Sequence, residues 1–121
     1  MKKVNIKEKL DQINDYWKPR IAAELNGQQV RLVKVLGEFT YHKHDSEDEM
    51  FFVIKGKLKI DLKEKIEELN EGEFFVVPKG VVHRPIAEKE VHLMMFTAAE
   101  NVNTGDIKNN MTLDTKSLEK I

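Results

Sequence analysis

The sequence contains no cysteine. That removes disulfide frameworks, thiolate metal sites, iron–sulfur clusters and cysteine nucleophiles together, and it fits a reducing cytoplasm. Long apolar runs are missing as well: none approaches the roughly 20 residues of a membrane-spanning helix. The first residues, MKKVNIKEKL, alternate apolar and charged positions and lack the apolar core of a secretory signal. There is no excess of charge, since 20 basic residues stand against 21 acidic ones for a net charge of -1. No global field therefore draws the chain onto nucleic acid or anionic lipid. Internal repeats, linkers and low-complexity blocks are absent. What is present is 40% hydrophobic and 34% charged residues in a chain of 121, a globular apolar content under a heavily charged skin and a length that suits one domain better than two. The expectation is a soluble cytoplasmic protein with one domain over residues 1–121, no nucleic-acid partner and no membrane partner.

Ile6, Leu10, Ile13 and Trp17 fall four, three and four residues apart, which predicts an amphipathic helix within residues 1–18. Asn5 and Glu8 form a capping pair at its start, and Pro19 stops it. Beyond Pro19 the pattern changes to short β-branched and aromatic runs between turn residues, the mark of an antiparallel sandwich or barrel. The predicted strands are 29–36, 39–43, 49–54, 57–62, 65–69, 73–77 and 91–97, with a further extended piece at 83–87. Lys55-Gly56 reads as a hairpin loop, and Asn70-Glu71-Gly72 as a turn. Residues 100–121 read as a polar tail that wraps the surface or frays.

Tyr41-His42-Lys43-His44 is the sharpest chemical feature, because residues two apart on a strand face the same side and both imidazoles can converge on one point. Glu49 opens the apolar run Met50-Phe51-Phe52-Val53-Ile54, where an inward carboxylate needs a compensating partner; the intervening Asp45-Ser46-Glu47-Asp48 reads as a solvated turn that brings it beside the histidines. In the segment Gly72 to His83, an apolar strand ends at Pro78-Lys79-Gly80, a sharp corner from which His83 can face inward. Taken singly, His83 reads more readily as a hydrogen-bonded structural histidine than as a ligand.

Together these residues resemble the cupin superfamily, and among its members the small single-domain cupins of the mannose-6-phosphate isomerase-like type. The first motif appears as Gly37, His42, His44, Glu49 and Gly56, and the second as Gly72, Pro78, Gly80 and His83. The resemblance implies an all-β fold, a double-stranded β-helix or jelly-roll barrel over residues 29–98, preceded by the short helix and followed by the tail. It also implies that His42, His44, Glu49 and His83 ligate one divalent metal. Two departures stand out: the spacing from Gly37 to His42 is one residue shorter than the commonest form, and Ala87 stands where many cupins carry Asn, so a family mechanism that uses that Asn is not supported here.

Three imidazoles and one carboxylate suit a first-row transition ion, Fe, Mn, Ni, Co, Cu or Zn, and not Ca or Mg, which prefer oxygen shells. Strand parity from His42 and His44 predicts Thr40 and Glu38 on the inner face, and from Glu49 and His83 it adds Phe51, Val53, Pro85 and Ala87. His92 reads as hydrogen-bonded structure, Met94, Met95 and Phe96 as core or cavity wall, and Arg84 and Lys79 as solvated charges at the mouth. Two functions compete. One is a metal-dependent enzyme on a small polar substrate, a sugar derivative or an oxoacid, with isomerase, epimerase or dioxygenase chemistry. The other is a module that binds or senses a small ligand without turnover. A homodimer is the expected assembly.

Overall fold

The computed structural model describes residues 2–121; Met1, which falls in the expected N-terminal element, lies outside them. Strands β1 (Arg20–Leu25), β2 (Gln28–Glu38), β3 (Glu49–Lys55), β4 (Leu58–Asp61), β5 (Ile66–Leu69), β6 (Phe74–Val77) and β7 (Arg84–Ala98) follow one short helix, α1 (Ile6–Asp11). All the strand pairings are antiparallel. The strand order is β1-β2-β7-β3-β6, and β4 joins β5 to the first half of β7. The fold is the all-β cupin barrel that the motifs implied.

β7 is the spine. The two extended pieces expected at 83–87 and 91–97 are one strand of 15 residues, whose first half pairs with β4 and whose second half pairs with β3, while β2 follows it along nearly its whole length. The register slip between Val35 and Gly37 lets β2 bend with it. Alternation sets the inner face: Glu49, Phe51 and Val53 from β3, Leu58 and Ile60 from β4, and Pro85, Ala87, Val91, Leu93 and Met95 from β7 are buried. The parity expected for Phe51, Val53, Pro85 and Ala87 holds.

Helix α1 ends at Asp11, well before Pro19. Its cap is as read, with the Asn5 side chain accepting from the Glu8 N–H at 3.0 Å. Leu10 and Ile13 pack on Leu32, the outward residue of β2, and this covers that side of the barrel with a second small core. Trp17 leaves the helical path at φ +61°, because its indole belongs elsewhere: it stacks on Phe39 at 4.8 Å and donates through Nε1–H to the Leu36 carbonyl at 2.8 Å. β1, absent from the sequence reading, pairs with β2 and receives the chain terminus, where Ile121 N–H donates to the Ile21 carbonyl at 3.0 Å. The tail therefore wraps.

Candidate metal centre

Residues 39–43 form no regular strand, contrary to the sequence expectation. Phe39 N–H donates to the Pro85 carbonyl, while His42 and His83 exchange both backbone hydrogen bonds, at 3.1 and 2.9 Å. Three residues along one segment thus match two along the other, and the slip breaks the ladder. It also resets the parity. Glu38, expected inside, is exposed and pairs with Arg84 at 3.2 Å, while Phe39 is buried. The switch falls between Phe39 and His42: Phe39 keeps the inward parity of Val33 and Val35, and His42 and His44 take the opposite one.

The reciprocal pair puts the two histidines directly opposite each other, and their rings lie 4.4 Å apart. Each is oriented the same way: His42 Nδ1 lies 2.9 Å from the Thr40 carbonyl and His83 Nδ1 lies 3.0 Å from the Val81 carbonyl. A carbonyl only accepts, so Nδ1 carries the proton and Nε2 presents its lone pair. His44 is held from behind, its carbonyl accepting from the Gly80 N–H of the Pro78-Lys79-Gly80 corner at 2.8 Å. Glu49, at the start of β3, places Oε1 at 3.4 Å from His44 Nε2 and 3.5 Å from His83 Nε2.

All four side chains are buried, and their ligand atoms lie within 4.8 Å of one another. Both ring nitrogens of His44 and the Nε2 of His83 are buried without a hydrogen-bond partner, a costly state unless something fills the space between them. Bonds of about 2.1 Å to a common ion would set adjacent donors roughly 3 to 3.4 Å apart, near the spacing seen. The cluster is thus able to hold a metal ion, and the donor set is the nitrogen-rich kind that suits a first-row transition metal. Its electrostatics favour the ligating forms. Burial, reinforced by the neighbouring His83, takes the His42 pKa down to about 4. Burial would raise that of Glu49, but the His44 and His83 imidazoles outweigh it and hold the carboxyl at about 2. Near neutral pH, His42 is neutral and Glu49 is charged.

A cavity of about 40 Å³ opens beside the cluster, lined by His42 and Glu49, by Arg31 and Asn103, and by apolar walls that include Trp17, Phe39, Phe51 and Leu93. Among the buried polar residues that escaped the sequence reading, three stand around Glu49. Asn101 donates to Glu49 Oε2 at 3.1 Å and to Thr97 Oγ at 2.8 Å, and the Thr97 hydroxyl in turn donates to the Asp48 carbonyl. Arg31 is the third. The charges expected at the mouth behave differently from one another: Lys79 is exposed, whereas Arg84 is engaged by Glu38 and Asp61 and lies over the Tyr41 ring. His92 is bonded to Glu90 at 2.8 Å, a structural histidine. Met95 lines the cavity and Met94 packs in the outer core.

Comparison with known proteins agrees with this architecture. The cupin domain model matches residues 29–98, and the chain belongs to the cupin family. It is similar to a cupin-2 domain containing protein from Shewanella frigidimarina, at 42% identity and a TM-score of 0.76 over 77% of this chain and 91% of that one. It is also similar to protein NMB1881 from Neisseria meningitidis, at 35% identity and a TM-score of 0.74 over 80% and 99% of the two chains. An uncharacterized protein, YdbB, of Bacillus subtilis is 41% identical over 63 residues, covering 51% of this chain and 56% of that protein. The match therefore spans about half the length of that curated relative.

Proposed function

We propose that His42, His44, Glu49 and His83 hold one divalent first-row transition ion, and that the protein acts through it on a small polar molecule bound in the adjoining cavity. The observation that carries this reading is the buried, unpartnered Nε2 of His44 and of His83, both beside the same ionised oxygen of Glu49. When bound, such an ion supplies Lewis acidity toward a substrate oxygen. The chain's own residues do the rest. Thr40 and Val81 fix the two histidine tautomers, Asn101 fixes the Glu49 rotamer, and Trp17, Phe39 and Phe51 give the cavity its apolar walls. Isomerase, epimerase or dioxygenase chemistry on a sugar derivative or an oxoacid is consistent with this arrangement. A second reading, ligand binding without turnover, draws support from the walls, which offer no acid or base of their own apart from the cluster.

Elemental analysis of protein purified without chelator tests the first step. The expected result is near-stoichiometric metal in the native protein and its loss in a His42→Ala/His83→Ala variant that still folds. Absence of metal from native protein after reconstitution would overturn the proposal.

A further inference from the structure

We propose that Arg31 is the anion anchor of this cavity and that the small molecule it takes is a short-chain 2-oxo or 2-hydroxy acid, whose carboxylate pairs with the guanidinium while the neighbouring oxygen faces the histidine cluster. The second half of that statement rests on the function proposed above; the pairing with Arg31 does not.

Arg31 is 2% exposed, at an inward position of β2. Nε donates to Gln29 Oε1 at 3.0 Å, Nη1 to the Asn101 carbonyl at 2.9 Å and Nη2 to the Ala99 carbonyl at 3.2 Å. All three acceptors are neutral. A guanidinium has five N–H donors, so one on each terminal nitrogen stays free, and the side chain borders the cavity. The carboxylate whose charge reaches it is Glu49, and Glu49 is already engaged by His44 and His83.

A buried cation without an ion-pair partner is costly, and the usual resolution is a counter-charge. With a divalent ion at the histidines, Glu49 and Arg31 leave two positive charges in excess in an otherwise apolar chamber. A neutral sugar would leave that excess in place. A carboxylate reduces it and matches the planar donor fork of arginine better than any other common group. The contacts to Ala99 and Asn101 also hold the guanidinium still, so little side-chain freedom is lost when an anion binds.

Lactate and lactamide, close in shape and different in charge, test this by calorimetry on zinc-reconstituted and metal-free protein, with metal content measured in each preparation. A charge-assisted pair predicts that lactate binds about tenfold or more tightly than lactamide, and that Arg31→Met brings the ratio to about one without loss of metal. Should Arg31→Met fail to fold, Arg31→Gln, which can still donate to a carbonyl, gives the same readout. Equal affinity for the two probes, a preference that survives in the variant, or no measurable binding of either would each overturn the assignment. Native protein that takes up no metal yet prefers lactate through Arg31 would sink the metal proposal and leave the anion anchor standing.

Discussion

Asn101 ties the centre together at the scale of a single side chain. Its amide holds Glu49 and Thr97 and its backbone carbonyl holds Arg31, so the carboxylate and the cavity's cation are oriented through one residue. Removing a group that orients a metal-binding carboxylate weakens metal affinity by roughly ten- to a hundredfold. Asn101→Ala is expected to show that loss in a chelator competition while its circular dichroism stays native. The clustering of His42, His44, Glu49 and His83 was legible through the family resemblance that their motifs carry, but Asn101 was not, because ENVNTG has the composition of a turn and composition does not tell which turn side chain points inward. Arg31 was hidden for a related reason. Gln29, Arg31, Val33 and Val35 share one face of β2, and the opposite face, with Val30 and Leu32, reads as the more apolar of the two near the start of the strand. The acid response of the metal-free protein also belongs to single residues. Folded His42 takes up its proton near pH 4 and the unfolded chain near 6.5, so between those values the unfolded state binds more protons and stability falls as pH falls, by at most about 3 kcal/mol. Glu49, lowered from 4.5 to about 2, extends the loss in the same direction. The urea midpoint of metal-free protein is therefore expected to drop between about pH 7 and about pH 4.5, and a flat profile would contradict the assignment.

At the scale of elements, the loop after β7 clamps the histidine segment. Asp106 Oδ1 accepts from the Lys43 N–H at 2.9 Å, and the Asp106 N–H returns a bond to the Lys43 carbonyl at 3.0 Å. Gly105 permits that approach: a Cβ there would stand 2.1 Å from the Lys43 carbonyl oxygen and 3.1 Å from the His42 ring, on a residue already at φ +56°. Gly105→Ala is expected to push the loop off His42, lowering metal occupancy and destabilising the fold by roughly 1 to 3 kcal/mol. Retention of full metal and an unchanged melting temperature would count against the clamp. The helix illustrates where periodicity misleads. The stripe of Ile6, Leu10, Ile13 and Trp17 is real as a set of buried or half-buried residues, but Trp17 serves a different core, and stacking on Phe39 outweighs two more turns of helix. β1 was missed because RIAAEL carries little alternation of its own; it is a strand because β2 and the chain terminus offer it partners on both sides.

For the molecule as a whole, the barrel was legible because turns and β-branched runs repeat and the two motifs sit at its corners, while the merging of two runs into one long β7 depends on tertiary pairing that no local pattern encodes. β6 closes one edge of the sheet, with Phe75 and Val77 turned toward the core and Phe74 and Val76 left 60% and 45% exposed. Pairing of two copies across that surface is the expected use of it. Sedimentation is expected to find a species of twice 14.1 kDa, and Phe74→Lys with Val76→Lys is expected to return the monomer; a native protein that sediments as a monomer would remove this assembly. Among the aromatic residues that line the cavity is Trp17, the one tryptophan in the sequence. In optical terms the protein carries its own probe: emission excited at the red edge of protein absorption comes from one indole in the chamber wall, so a quenching ion or an arriving anion announces itself in the fluorescence of unlabelled protein.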